Sequence, residues 1–149
     1  PVMKHMPGHG GADKDTHKDL PLVDLSEDDL KPFRHMAGLD LPIWGMVAHI
    51  LTKGVDEDMP ASLSKKVIQD IIREDIGFDG LLLSDDLSMG ALKGFGDEAE
   101  CARLGLEAGL DIALHCNGTV DEMWALMDTL PPLRQDSGQR MDAWLKQRD

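Results

Sequence analysis

The sequence has few basic residues and no long apolar run. Lys and Arg number 15 against 28 Asp and Glu, which gives a formal net charge of −13. An excess of acid this large argues against binding nucleic acid or an anionic membrane through bulk electrostatics. No segment approaches the length of a transmembrane helix, and no signal peptide opens the chain. We therefore expect a soluble protein with neither nucleic acid nor a membrane as its partner.

Cysteine is also scarce. Cys101 and Cys116 are the two cysteines, and their spacing fits neither a CxxC motif nor a disulfide framework. They are interpreted as free thiols in a reducing compartment. An initiator methionine is missing as well, because the chain begins with Pro1 directly before an unusual motif. This beginning predicts a fragment whose upstream part is absent.

Short apolar runs alternate with helical patterns along the 149 residues. That alternation is typical of βα units with a parallel sheet, and the length suits one domain with a real core. The first segment is extended up to Pro7. Further strands are predicted over Leu41–Ile50, Gly80–Ser84 and Leu110–Leu114. Helices are predicted over Glu27–Ala37, from Ser64 to Ile76, and over Asp97–Ala108, Val120–Leu130 and Gly138–Gln147.

Polar residues lie at the predicted end of every strand. They are Lys4 and His5, then His49, then Asp85 and Asp86, then Asn117. In a parallel sheet or a βα barrel the carboxyl ends of the strands share one face, so these residues are expected to converge. Each of them alone is explained equally well as a cap for the following helix.

The loop from Pro7 to Lys18 contains a candidate acid/base pair. Asp15 and His17 lie two residues apart, and a carboxylate bonded to one imidazole nitrogen raises the basicity of the other. A general acid/base needs that arrangement. Spacing alone favours an ordinary polar surface loop. A metal site is a further alternative, although the spacing matches no strong metal signature; its ligands would be His5, His9 and His17 with Asp13 or Asp15.

The second candidate is Ser84-Asp85-Asp86, in which two carboxylates come directly after the buried strand Gly80–Ser84. Two carboxylates at such a position are costly unless a site uses them. One of them could be a nucleophile that attacks the anomeric carbon of a sugar. The other would cap the next helix or bind a backbone amide. Composition alone is equally compatible with both carboxylates being helix caps.

Taken together, these motifs resemble glycoside hydrolase family 3. Lys4-His5-Met6-Pro7-Gly8-His9-Gly10, followed by Asp15-Thr16-His17, is similar to the signature of its NagZ-type β-N-acetylglucosaminidases (β-N-acetylhexosaminidases), which usually have Phe where Met6 stands. Ser84-Asp85-Asp86-Leu87-Ser88-Met89 is similar to the nucleophile segment. Other matching segments, in order along the chain, are Met46–His49, Pro60–Ser62, Gly77–Gly80, Ala108–Asp111 and Cys116-Asn117.

The resemblance implies a TIM (β/α)8 barrel, of which this α/β chain, 1–149, would be the C-terminal half with about four βα units. It implies a retaining hydrolase that removes terminal N-acetylglucosamine, typically from cell-wall muropeptides in the cytoplasm, without a cofactor or a metal. Asp85 aligns with the nucleophile and His17 with the acid/base, with Asp15 as its partner. Lys4 and His5 align with residues that hold the sugar hydroxyls.

The departure that matters most is the missing front half of the barrel, which supplies an acidic residue and an arginine that grip the sugar in the family. Four βα units cannot close a barrel, so open strand edges and uncovered interior side chains are expected. We therefore predict that this chain is marginally stable or self-associates, and that it is inactive alone.

Two alternatives stay open. A glycoside phosphorylase of the same family is one of them, because a neutral histidine repels incoming phosphate less than a carboxylate does. The other is a non-catalytic sugar-binding fragment, against which the retention of Asp15, His17 and Asp85 argues.

Overall fold

The computed structural model describes residues 1–39 and 41–147. Its strands are β1 (Val2–Met6), β2 (Leu22–Val23), β3 (Trp44–Val47), β4 (Leu51–Thr52), β5 (Leu82–Asp86) and β6 (Ile112–Leu114). The helices are α1 (Glu27–Ala37), α2 (Val67–Asp75), α3 (Glu98–Ala108), α4 (Val120–Thr129) and α5 (Gln135–Lys146). A single 3-10 turn, Gly90–Leu92, follows β5.

Four strands form one parallel sheet in the order β1-β3-β5-β6. The strands follow the chain order and are joined by helical connections, which is the pattern of consecutive βα units. The prediction of an α/β fold with four such units is therefore confirmed, and the fold is that of a partial α/β barrel. Within this sheet β1 and β6 pair on one side only.

The helices begin and end where local chemistry dictates. Ser26 caps α1 by accepting a hydrogen bond from the Asp29 amide, and the Asp29 carboxylate accepts one from the Ser26 amide in return. Such a capping box satisfies two amides that a helix start leaves unpaired. The predicted bounds of α1 are confirmed. Asp97 is the N-cap of α3 instead of its first residue.

Helix α2 differs from the regular α-helix that its pattern predicts. It has π-type turns, and the Ile76 amide bonds to the Ile71 carbonyl five residues before it. Ser64 accepts a hydrogen bond from the Val67 amide as expected, and Gly77 ends the helix with φ of 73°. The periodicity of the side chains predicted which face is buried, but not the pitch.

The strands are shorter or shifted compared with their apolar runs. β3 covers Trp44–Val47 instead of Leu41–Ile50, because it pairs with β1 only from Val2 to Met6. β5 extends to Asp86, so Asp85 and Asp86 end the strand instead of following it. Lys4 and His5 likewise lie within β1.

The other predicted bounds shift by one to three residues. β6 begins at Ile112 instead of Leu110. At Asp111 the side-chain carboxylate accepts the hydrogen bond from the Leu82 amide, in place of a backbone carbonyl. Helix α4 ends at Thr129 instead of Leu130, and α5 begins at Gln135 instead of Gly138.

The main core lies between the sheet and its helices. Met6, Val47 and Leu82 from three strands pack with Ile68 and Ile72 of α2, and all five are fully buried. Because side chains alternate along a strand, the intervening residues His5, Met46 and Asp85 lie on the other face. That face would be the interior of a closed barrel.

The amino ends of β5 and β6 are joined by a buried ionic cluster. The Asp111 carboxylate has no exposed area and lies within 3.4 Å of Arg73, Arg134 and Arg140. It also accepts hydrogen bonds from the Leu82 amide and the Ser137 hydroxyl. The cluster ties α2 and α5 to the sheet at the end opposite the candidate site.

A two-stranded parallel sheet, which the sequence did not predict, joins β2 to β4. The Leu51 amide donates to the Pro21 carbonyl and the Lys53 amide donates to the Val23 carbonyl. Through these bonds the chain segment that ends the loop after β1 is attached to the segment that follows β3.

Candidate active site

Asp85 lies at the carboxyl end of β5 and retains partial access to solvent. Its side chain is 18% exposed, and its Oδ1 accepts a hydrogen bond from the Asp86 amide. The other oxygen, Oδ2, lies 3.5 Å from Nε2 of His5. This contact spans the intervening strand β3, so both side chains lie on the same face of the sheet. A carboxylate with one free oxygen edge is suited to nucleophilic attack.

Burial holds the pKa of His5 below its usual value, and the positive charge of Lys4 and the neighbouring His9 add to this lowering. The negative charge of Asp85 opposes the shift without cancelling it. A neutral His5 can donate a hydrogen bond while leaving the charge of Asp85 available. The neighbouring Lys4 is exposed.

Asp15 and His17 form the hydrogen-bonded pair that the spacing predicts. Nδ1 of His17 lies 3.0 Å from Oδ1 of Asp15, which also accepts from the His17 amide at 3.0 Å. Because a carboxylate only accepts, Nδ1 carries the proton and Nε2 is left as the working nitrogen. The hydrogen bonds from His17, first from its amide and then from its ring, lower the pKa of Asp15.

The pair lies on the surface, with 77% of the His17 side chain exposed. Among residues 1–39 and 41–147 no hydrogen bond or ion pair joins it directly to Asp85. An indirect connection runs through Thr16, which is buried and lies 3.4 Å from Nε2 of His9. The rings of His9 and His5 are 5.6 Å apart. The structure therefore places the two predicted halves at the same end of the sheet, with histidines between them.

Asp86, the second carboxylate of the pair, binds backbone and side-chain donors as one alternative from the sequence predicts. Oδ1 accepts from the Ser88 and Cys116 amides, and Oδ2 accepts from the Ser88 hydroxyl and the Asn117 amide group. Burial favours the neutral acid, but these hydrogen bonds outweigh it and lower the pKa of Asp86. Asp86 thereby joins the loop after β6 to the end of β5.

His49 is a functional candidate whose contacts the sequence did not reveal. It is fully buried, with Nδ1 2.7 Å from the Ser62 hydroxyl and Nε2 3.0 Å from the Asp86 carbonyl. A carbonyl only accepts, so Nε2 donates and Nδ1 accepts from Ser62. Burial lowers the pKa of His49, against opposing effects of the Asp86 carbonyl and the Asp85 and Asp86 charges. A neutral His49 therefore holds the carbonyl of Asp86, the residue that follows Asp85.

Ser84 has a structural role. Its hydroxyl is fully buried and accepts from the Leu114 amide at 2.9 Å, where the pairing of β5 and β6 is irregular between Leu83 and Asp86. An irregular ladder next to a site re-aims the strand end. Here the hydroxyl satisfies an amide in that stretch.

The alternative metal site finds no support in the geometry. Across residues 1–39 and 41–147 no three His, Cys, Asp or Glu side chains are grouped so that they could hold an ion.

No helix in the same part of the chain is both long and apolar enough to span a bilayer. Cys101 and Cys116 are both free thiols. Burial, reinforced by Asp97 and Glu98, raises the pKa of Cys101 to about 11.

Comparison with known proteins gives one family. The family model described as "Glycosyl hydrolase family 3 N terminal domain" matches residues 1–143. A protein named beta-hexosaminidase from Nitrosomonas eutropha is 39% identical over 122 residues, which cover 78% of this chain and 34% of that protein. The chain thus spans about a third of the length of this relative.

Two solved structures have the same arrangement of strands and helices. NagZ from Neisseria gonorrhoeae, in complex with N-trifluoroacetyl-D-glucosamine, is 39% identical with a TM-score of 0.78. The match covers 96% of this chain and 42% of NagZ. A family 3 β-N-acetylglucosaminidase from Paenibacillus sp. is 32% identical with a TM-score of 0.84, covering 99% of this chain and 31% of that enzyme.

Proposed function

The chain belongs to glycosyl hydrolase family 3, and on that premise we propose that it supplies the nucleophile and the acid/base of a retaining β-N-acetylhexosaminidase. The observation that carries the proposal is the position of Asp85. Its carboxylate is partly exposed at the carboxyl end of β5 and has one oxygen free of backbone donors. Active sites of α/β barrels lie at that end of the strands.

In the first step the Asp85 carboxylate attacks the anomeric carbon and forms an ester bond to the sugar. The bond from that carbon to the leaving oxygen breaks, and the protonated His17 gives this oxygen its proton. In the second step the neutral His17 takes a proton from water, whose oxygen displaces Asp85. Asp15 supports both steps because it stabilises the protonated ring and fixes its tautomer.

Lys4 and His5 are proposed to hold the sugar hydroxyls. Lys4 is an exposed cation one residue before His5, and His5 lies beside Asp85. A hydroxyl bound there would be placed next to the attacking oxygen. The proposed substrate is a small carbohydrate with a terminal N-acetylglucosamine, as the names of the relatives suggest. Peptidoglycan-derived muropeptides are the proposed source, and the cytoplasm is the proposed location.

The chain supplies only part of such a site. We propose that residues 1–149 are the C-terminal half of a TIM barrel and that the chain alone is inactive. It is also expected to self-associate, because β1 and β6 have unpaired edges and α4 exposes Val120, Trp124 and Met127 by 59% or more. Sedimentation as a stable monomer would contradict this expectation.

The test of the roles uses a protein that joins this chain to the other half of a family 3 barrel, with an aryl N-acetyl-β-glucosaminide that has a good leaving group. Asp85→Ala is expected to abolish release of the aryl group. His17→Ala is expected to keep the first-turnover burst and to slow only steady-state turnover, because such a leaving group departs without an acid. Asp70→Ala, an exposed aspartate on α2, is the control. Equal losses in the first two variants would refute the assignment.

The phosphorylase alternative is tested with the same protein. Product analysis with and without inorganic phosphate separates the two reactions, because a phosphorylase forms the sugar phosphate. Binding of N-acetylglucosamine without turnover in the same protein would instead favour the non-catalytic alternative.

A further inference from the structure

The short turn that follows the nucleophile strand contacts the backbone of the acid/base loop. The Gly90 amide donates to the His17 carbonyl at 3.1 Å, and the Ala91 amide donates to the Thr16 carbonyl at 3.2 Å. One acceptor is the carbonyl of His17, a member of the Asp15–His17 pair, and the other is the carbonyl of Thr16, the residue between the two members. The turn itself is held independently, since the Leu92 amide bonds to the Met89 carbonyl.

Gly90 allows this approach because it has no side chain. A Cβ at this position would lie 2.5 Å from the His17 carbonyl oxygen and 2.9 Å from that of Lys18. Both neighbours are backbone atoms, so a larger residue would force the loop away. Gly94, four residues later, has open space where its Cβ would be.

We propose that Gly90 and Ala91 are positioning residues that dock the acid/base loop on the nucleophile strand. β5 ends at Asp86, and only Leu87–Met89 separate it from this turn. The two backbone bonds therefore set the position of His17 relative to Asp85. On either side of Thr16 the loop is exposed at residues 13–15, 17 and 18, with 77% of the His17 side chain in solvent. Only the meaning for catalysis rests on the proposed function, because the docking itself is a property of the fold.

The docking is tested first without any activity, by amide hydrogen exchange measured by NMR on the protein that joins this chain to the other half of a family 3 barrel. The Ala91 amide is expected to be protected in the unaltered protein. In Gly90→Ala its exchange should accelerate about tenfold or more, because a net hydrogen bond is lost for each amide released. The Leu92 amide should change little, and Gly94→Ala should match the unaltered protein. The proposal would be overturned if the Ala91 amide is unprotected in the unaltered protein, or if its exchange rate is unchanged in Gly90→Ala.

A second variant covers the case in which Gly90→Ala also loosens the Leu92 amide. Ala91→Pro removes the donor to Thr16 and places the ring Cδ against that carbonyl, while this amide has no partner within the turn to lose. The fixed proline φ suits a 3-10 conformation, and Gly90 has no Cβ to clash with the ring that follows it. The reporter is then the Gly90 amide, whose exchange should accelerate several-fold. Unchanged exchange there would overturn the proposal.

The catalytic meaning is tested in the complete barrel with the activated aryl substrate. Gly90→Ala should keep the first-turnover burst and lower steady-state turnover about tenfold or more, and added azide should restore it by replacing water as the nucleophile. Gly94→Ala should turn over normally. Accelerated Ala91 exchange in Gly90→Ala together with normal turnover would refute positioning while leaving the proposed reaction intact. If His17→Ala also turns over normally, the proposed reaction itself fails.

Discussion

Two aspartates at opposite ends of the sheet, Asp111 and Asp85, have opposite surroundings. At the amino end the Asp111 side chain has no exposed area and is surrounded by three arginines, an amide and a hydroxyl. At the carboxyl end Asp85 is partly exposed and has one amide donor and a histidine at 3.5 Å. A carboxylate whose oxygens are all occupied holds a structure together, whereas one with a free edge is available for chemistry. The difference is the one expected between a structural carboxylate and the proposed nucleophile.

The largest effect on stability is expected for Asp111→Asn. It leaves Arg73, Arg134 and Arg140 near one another without their common counter-charge, and breaking a buried ion pair costs about 3–5 kcal/mol. Denaturant unfolding measures the loss in the free energy of unfolding. Asp85→Asn is the matched change at the other end and should alter it by less than about 1 kcal/mol. Equal losses would remove the distinction between the two ends.

An intermediate effect is expected from His49, and it depends on pH. Its folded-state pKa lies below the unfolded value of about 6.5, so the unfolded chain binds a proton first as pH falls. The free energy of unfolding should therefore decrease as pH drops below about 6.5 through the folded pKa. His49→Gln keeps a donor for the Asp86 carbonyl but does not titrate, so it should flatten this dependence.

The control for His49 is His35→Gln, since His35 is an exposed histidine on α1. His5 has a pKa shifted in the same direction, so part of the dependence should persist in His49→Gln. An unchanged slope in His49→Gln would contradict a neutral buried His49.

The smallest effect on stability is expected at the exposed pair. Asp15→Ala should shift the thermal midpoint by less than about 2 °C, because exposed ion pairs contribute little. Turnover of a poor leaving group in the complete barrel should nevertheless fall, since His17 loses its orienting partner. A large drop in the thermal midpoint would indicate that Asp15, like Asp111, has a structural role.

Local signals predicted the helices better than the strands. The Ser26 cap and Gly38 define α1 within the chain segment itself, and its predicted bounds are confirmed. The length of β3 instead depends on its pairing with β1, which an apolar run does not encode. The short sheet of β2 and β4 was missed in the prediction because it too depends on pairing between distant segments. Two residues in each strand are also too few to give a periodic pattern.

The candidate site divides in the same way. The Asp15–His17 bond was predictable because the two residues lie two apart, and so was the location of Asp85 at a strand end. The contact between His49 and Ser62, and the docking of the Thr16 and His17 carbonyls on Gly90 and Ala91, join residues distant in sequence. No spacing rule indicates such contacts. Ser62 was part of the family resemblance, but its sequence context did not reveal its partner.

The small sheet of β2 and β4 also limits how freely the acid/base loop moves. Between β1 and the Ser26 cap of α1 the chain runs from Pro7 to Leu25, which is 19 residues, and the bond at Pro21 shortens the stretch between fixed ends to 15. Closure entropy grows with the logarithm of loop length, so this shortening lowers the cost of ordering by about 0.2 kcal/mol. Two strands of two residues thus add to the docking on Gly90 and Ala91 in limiting the chain that must be ordered when His17 lies over a bound sugar.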